Sequence, residues 1–279
     1  MINFTKMHGT GNDYVFIDAR VENVPKPEKL SKKMSDRHVG VGSDGIILIL
    51  DSEIADFKMR MFNSDGSEAE MCGNGIRCFS KFVYDRKFTS KKEITIETLA
   101  GIKHLKLIPK GEKISQVVVN MGAPILRREL IPMIGDHSLV INESIQLADR
   151  TSFEITAVSM GNPHIVIFVE DVEKFPVEKY GPLLENHELF PQRTNVEFVQ
   201  VLNSKELIQR TWERGSGETL ACGTGASAVT VAGFLTKQTE REVTVHLKGG
   251  SLHTLWNEKD DSVYLTGPAV EVFTGVWLE

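Results

Sequence analysis

Apolar and polar residues alternate along this chain in short runs bounded by Gly, Asn and Ser, the spacing of half-buried strands. Tyr14–Asp18, Ile46–Leu50, Phe57–Phe62 and Ile94–Leu99 are four such runs in the first part of the chain. The second part of the chain, read below as a second copy, offers strands at Gln116–Asn120, Phe153–Val158, Ile165–Val169, Val196–Val201, Leu207–Trp212, Val243–Leu247, Ser251–Trp256 and Val263–Thr266. Helical spacing is rarer. It predicts a helix over Glu28–Arg37, after the breakers Pro25 and Pro27, and another over Val177–Glu185. From Gly73 to about Tyr84, Ile76, Phe79 and Val83 fall on one helical face. Gly223 to Leu235 is small or apolar nearly all round, so other structure must enclose it.

These elements recur at an offset of 150 positions. Gly11-Asn12-Asp13-Tyr14 aligns with Gly161-Asn162-Pro163-His164, Asp44-Gly45 with Thr194-Asn195, Asn63-Ser64 with Glu213-Arg214, and Glu68 with Glu218. Four landmarks in one order and one spacing describe two copies of a single unit. The fold class expected is α+β: two pseudo-symmetric, β-rich, barrel-like domains, each wrapped around a central helix and related by internal duplication. The first domain is drawn as residues 1–118 plus 267–279 and the second as 119–266, with a crossover between Gly111 and Gly122. The segment from Gly267 has no counterpart after the first copy and is expected to return to it.

A formal net charge of −6 gives no electrostatic case for nucleic acid, and the basic stretch from Arg86 to Lys92 reads as a solvated turn. No apolar run approaches the roughly 20 residues of a membrane span. Met1-Ile2-Asn3-Phe4 has neither the charged region nor the apolar core of a signal peptide. Three cysteines without framework spacing suit a reducing cytoplasm. Cys-x-x-Cys, His-Glu-x-x-His and phosphate-loop patterns are missing, so no metal and no cofactor is predicted.

The chemistry concentrates in Glu70-Met71-Cys72-Gly73-Asn74-Gly75-Ile76-Arg77-Cys78 and its echo, Leu220-Ala221-Cys222-Gly223-Thr224-Gly225-Ala226-Ser227. In each, a cysteine precedes Gly-polar-Gly and then a helix. A thiol at a helix mouth feels exposed N–H groups and the positive end of the dipole, which favour thiolate. The same N–H groups form an anion site that glycine lets a ligand approach. Two copies joined by a pseudo-twofold are expected to set Cys72 and Cys222 on opposite sides of one pocket. One thiolate and one thiol so placed would take a proton from one face of a carbon and return one to the other. That is racemisation or epimerisation.

Met7-His8-Gly9-Thr10-Gly11-Asn12-Asp13, Gly42-Ser43-Asp44-Gly45, Asn63-Ser64-Asp65-Gly66, Met71-Cys72-Gly73-Asn74-Gly75, Gly161-Asn162-Pro163-His164, Arg193-Thr194-Asn195 and the run from Glu213-Arg214 through Cys222-Gly223-Thr224-Gly225 together resemble the diaminopimelate epimerase family over nearly the whole chain. The resemblance implies a pyridoxal-independent epimerase of lysine and peptidoglycan biosynthesis. It implies Cys72 as acid and Cys222 as base from LL to meso, with His164 and Glu213 tuning the thiols. It implies that Asn12, Asn63, Asn162, Asn195, Glu213 and Arg214 bind the distal end of diaminopimelate, and that Gly73-Asn74 and Gly223-Thr224 hold the reacting end. A cytoplasmic homodimer is expected, with a small-molecule substrate and neither nucleic acid nor membrane as partner. Many members carry Gln where this chain has Gly45, which is therefore not assigned as a ligand. Cys78 reads as core, and His8, Asp13 and Arg37 as scaffold. Other readings stay open. A proline racemase would carry His in place of Asn74, and the phenazine-pathway isomerases lack the cysteine pair. A thiol–disulfide redox protein would need no ordered asparagines, and an amino-acid binding protein no activated thiols.

Overall fold

The computed structural model describes residues 1–136 and 138–278. It divides into two units, Met1–Asn120 with the segment from Thr266, and Met121–Leu265. The first unit contains β1 (Ile2–Gly9), β2 (Asn12–Asp18), α1 (Pro27–Ser35), β3 (Gly45–Leu50), β4 (Phe57–Asn63), β5 (Glu68–Ala69), α2 (Gly73–Asp85), β6 (Glu93–Thr98), β7 (Gly101–Lys110) and β8 (Lys113–Asn120). The second contains β9 (Glu143–Gln146), β10 (Ser152–Ser159), β11 (Pro163–Phe168), α3 (Val177–Glu185), β12 (Asn195–Asn203), β13 (Glu206–Glu213), β14 (Gly217–Thr219), α4 (Gly223–Leu235), β15 (Glu242–Leu247) and β16 (Gly250–Trp256). β17 (Val263–Pro268) follows, and β18 (Val270–Trp277) pairs with β1.

Within the first unit the strands run β18-β1-β2-β3-β4-β6-β7-β8, antiparallel except at β2·β3 and β4·β6. Parallel neighbours need a crossover, and helices supply both: α1 joins β2 to β3, and α2 lies between β4 and β6. The second unit repeats the plan, with β11·β12 and β13·β15 parallel and α3 and α4 as their crossovers. α2 packs on β1, β2, β3, β7 and β8, and α4 on β10, β11, β12, β15 and β16. Strands thus wrap each central helix, and the fold class is the one expected.

The register repeats with the sequence. Tyr14 stands opposite Gly45 and His164 opposite Asn195; Ile46 faces Phe62 and Val196 faces Trp212. Arg60 forks onto Glu68 at 2.7 and 3.0 Å, and Arg210 onto Glu218 at 2.6 and 2.9 Å. Both central helices end alike: Lys87 and Lys237 adopt left-handed φ of 60° and 61° beyond the last turn.

α2 buries Ile76, Phe79 and Val83 as its spacing requires, each worth about 1.5–3 kcal/mol of apolar transfer. It also buries Arg77, and Lys81 bonds Asp85 and the Ile114 carbonyl, both at 2.7 Å. α4 needs no such devices, since Ala226, Ala228, Val229, Val231 and Ala232 are apolar and fully enclosed.

Three sequence expectations need correction. Gln116–Asn120 was placed in the second copy but is the end of β8, which pairs with β7 in the first unit. Helix α1 stops at Ser35 rather than Arg37 because Asp36 has turned to ψ 122°. β1, β5, β7, β9, β14 and β18 were not expected; β18 is exposed along most of its length, which leaves no clean alternation to read.

Candidate active site

The first unit builds its site where β2 begins and α2 begins. Cys72 is extended (φ −132°, ψ 122°) and caps α2, its Sγ accepting from the Gly75 N–H at 3.4 Å. Asn12 Oδ1 accepts from the Cys72 thiol at 3.2 Å and from Asn74 Nδ2 at 3.4 Å. Asp44 Oδ2 holds the other end of the Asn12 amide at 2.6 Å. The Tyr14 hydroxyl donates to Cys72 Sγ at 3.6 Å. Behind them the buried Arg77 guanidinium donates to Asn74 Oδ1 at 2.8 Å and to the Gly73 carbonyl at 3.0 Å. Cys72, Asn12, Gly73 and Asn74 are therefore gathered into one hydrogen-bonded cluster.

The second unit repeats the frame with other side chains. Cys222 (φ −124°, ψ 114°) caps α4 and accepts from the Gly225 N–H at 3.3 Å, with Thr224 Oγ1 3.4 Å from its sulfur. His164 and Glu197 are both wholly buried, Nδ1 to Oε1 at 2.8 Å, and the His164 Nε2 lies 3.1 Å from the Asn162 amide oxygen. Gln209 Nε2 and the Thr211 hydroxyl donate to Glu197 Oε2 at 2.7 and 2.6 Å. Glu213 Oε1 accepts from Thr219 at 2.6 Å.

Burial pushes the Cys72 thiol up; the Gly75 N–H, the Tyr14 hydroxyl and the Arg77 charge pull against it. Burial also pushes Cys222 well above the ordinary thiol range, and the charges of Glu213 and Glu197 push it further. The helix mouth was expected to lower these thiols; burial works against it and has the larger effect on both. Cys78 is core, as expected, and burial drives it to about 12.

The remaining expected ligands are placed as follows. Asn63 ends β4 and donates to Ser67 Oγ at 3.0 Å, turned to its own loop rather than to the Cys72 cluster. Asn195 is buried; it donates to the Pro163 carbonyl at 2.8 Å and accepts from the Arg214 N–H at 2.9 Å. The Arg214 guanidinium donates to the Gln192 carbonyl at 3.0 Å. Gly223 opens α4 as Gly73 opens α2. Gly45 has no room for any side chain: a Cβ there would lie 2.1 Å from the Phe62 carbonyl oxygen.

Glu197, Tyr14, Asp44 and Arg77 were missed from sequence. Glu197 alone left a signal, a lone charge in the apolar run Val196-Glu197-Phe198-Val199. Among the described residues, His164, Glu197 and Cys222 form a group with donor atoms close enough to hold a cation, all within 4.8 Å of one another. Their polar atoms are already met, Glu197 by His164, Gln209 and Thr211, His164 Nε2 by Asn162, and the Cys222 sulfur by Gly225 and Thr224, and no metal site is assigned. A cavity of about 500 Å³ in the second unit, lined by Val172, Ile208, Arg210 and His246 among others, includes none of the expected site residues.

The diaminopimelate epimerase family model matches residues 4–126 and 156–272. A diaminopimelate epimerase from Methanococcus maripaludis is 56% identical over 274 residues, covering 98% of this chain and 99% of its own. One from Moorella thermoacetica is 54% identical, covering 98% of each chain. Among solved structures, a phenazine biosynthesis protein of the PhzF family from Bacillus anthracis aligns with TM-score 0.72 at 18% identity, over 99% of both chains. A probable proline racemase from Agrobacterium radiobacter aligns with TM-score 0.73 at 13% identity, over 100% of this chain and 93% of that one. At such identities these two speak for the fold alone. The sequence relatives, more than half identical and matched along almost the full length, speak for more: the chain belongs to the diaminopimelate epimerase family.

Proposed function

We propose that the chain interconverts LL- and meso-diaminopimelate in lysine and peptidoglycan biosynthesis, using one thiol from each unit as acid and base. One observation carries this reading: each copy presents a cysteine as the N-cap of its central helix, beside the first-turn N–H groups. From LL substrate, Cys222 thiolate removes the α-proton, and the Cys72 thiol delivers its own proton to the opposite face. The roles exchange in the reverse direction. As the carbanion forms, charge moves into the α-carboxylate, where the N–H groups at Gly73-Asn74 and Gly223-Thr224 receive it. Each aimed donor is worth about 3 kcal/mol in the transition state.

Burial pushes both thiols up, Cys222 the further. The α-ammonium of a bound amino acid brings the positive charge that favours one thiolate. His164 and Glu213 tune the thiols, while Asn12, Asn63, Asn162, Asn195, Glu213 and Arg214 read the distal amino-acid end. The enzyme acts as a cytoplasmic homodimer; no helix among the described residues is long and apolar enough to cross a membrane. Incubating the protein with LL-diaminopimelate, without added cofactor, and resolving the products chirally tests the reading. Meso product is expected. Folded protein that leaves LL-diaminopimelate unchanged, or inverts proline instead, overturns it.

A further inference from the structure

The two copies share a backbone frame but not the residue beneath the cysteine turn. A Cβ on Gly75 would meet Ile47 Cδ1 at 2.6 Å, and a Cβ on Gly225 would meet Glu197 Oε1 at 2.5 Å. Ile47 and Glu197 are equivalent positions, 150 apart, and both are wholly buried. A methyl group therefore lies under the glycine of the first cysteine turn and a carboxyl group under that of the second.

That carboxyl group is held by three side chains. Gln209 Nε2 also donates to Thr211 Oγ1, at 2.9 Å, so the Thr211 hydroxyl hydrogen is left to point at Glu197 Oε2. Two donors on Oε2 and the His164 ring on Oε1 satisfy a carboxylate without water. The titratable groups bearing on Cys222 are His164 from β11, Glu197 from β12 and Glu213 from β13. The first unit reverses the sign. Position 77 holds a buried arginine where position 227 holds serine, and both donate at 3.0 Å to the first carbonyl of their helix, Gly73 or Gly223.

We infer that Glu197 is a positioning residue for the reaction: its buried carboxylate holds Cys222 in the protonated form and so sets which thiol of the pair rests as the acid. The inference rests on the reading of Cys222 as a proton carrier. In that scheme Cys222 carries the proton after LL has become meso. Of the two thiols Cys222 is therefore the more firmly protonated, the state suited to meso substrate, and LL turnover needs that proton to leave first. Close burial of like charge is the physical cause, since a thiolate within 4.8 Å of a carboxylate in a dry site is penalised far more than in water.

The test uses the full chain with Cys72→Ala and Cys78→Ala, so that Cys222 is the one thiol left to titrate. Thiolate ultraviolet absorbance is followed against pH as the difference from the same chain carrying Cys222→Ala, which removes the tyrosinate signal and needs neither substrate nor reagent access. Adding Glu197→Gln should lower the Cys222 midpoint by about one pH unit or more, and Glu197→Asp, which withdraws the charge by one methylene, by less. An unmoved or raised midpoint in either variant, with far-ultraviolet circular dichroism intact, overturns the inference. Glu197→Asp decides alone if Glu197→Gln does not fold. A purely structural role would change stability and leave the midpoint in place. Because no substrate is present, failure here is separate from failure of the LL-diaminopimelate assay.

Discussion

Tyr14 and His164 occupy one position of a repeated frame, each on the strand that pairs in parallel with the next, opposite Gly45 and Asn195 respectively. The phenol donates to Cys72, whereas the imidazole binds Glu197 beside Cys222. Tyr14 thus supplies one of the few influences that lower Cys72 against its burial. Tyr14→Phe should raise the Cys72 thiol further and move the acid limb of kcat/KM to higher pH in the direction that uses Cys72 as base. A pH–rate profile checks this; an unmoved limb would place the hydroxyl outside the thiol's hydrogen bonding.

The glycines one turn into the two helices should respond differently to alanine. Gly75→Ala meets only the end of the Ile47 side chain, which can rotate away, and gains about 1 kcal/mol of helix propensity. Gly225→Ala meets a carboxylate pinned by three partners. It should cost about 1–3 kcal/mol by denaturant unfolding, with Gly75→Ala near neutral.

Arg214 is assigned to the distal carboxylate of the substrate. Arg214→Lys keeps the charge and loses the planar fork, so kcat/KM should fall more than tenfold, about 1.4 kcal/mol. Steady-state kinetics decide. Unchanged values would leave Arg214 with only its bond to the Gln192 carbonyl.

Two monoprotic carriers leave an isotopic signature. In heavy water from LL substrate, the first meso product should carry solvent deuterium at the inverted carbon while remaining LL substrate stays almost unlabelled. Replacing Cys72 or Cys222 by Ala should abolish inversion. Early deuterium in recovered LL substrate would point instead to one polyprotic base.

Asp13 gives a pH-dependent contribution to stability with a definite sign. Burial opposes its ionisation, but bonds from Arg37 and Lys6 prevail and hold its carboxyl below the usual range. A depressed folded value stabilises above the unfolded value of about 3.9 and is lost as pH falls through the folded one. Asp13→Asn should therefore cost about 1 kcal/mol at neutral pH, since Arg37 is over half exposed, and almost nothing at pH well below 3. Urea melts at both pH values measure the difference.

The central helices, their cysteine caps and the duplication were legible because a 150-residue offset preserves both spacing and register. β18 was not, because an exposed strand has no buried face to impose alternation. The pairing of Asn12 with Asp44 was equally hidden: hydrogen bonds between residues 32 apart leave no local pattern. The upward shift of both thiols could not be read either, because the helix dipole shows in sequence and the depth of burial does not. Glu197 was the one missed residue with a visible trace. A charge inside an apolar strand, where the other copy has Ile47, marks a departure from the repeat and hence a place where the two sites differ.

The pairing of β1 with β18 has a consequence for how the polypeptide assembles. Ile2 meets Trp277 and Thr5 meets Thr274, so the strand that emerges early from the ribosome waits for one made after the whole of Met121–Leu265. The second unit is continuous and can fold while the first still lacks an edge. Until β18 arrives, β1 offers bare backbone donors and acceptors to any extended segment nearby, the situation that favours mispairing and aggregation. Shortening the chain before Val270 would make that transient exposure permanent, and the damage would fall on the half that was synthesised first.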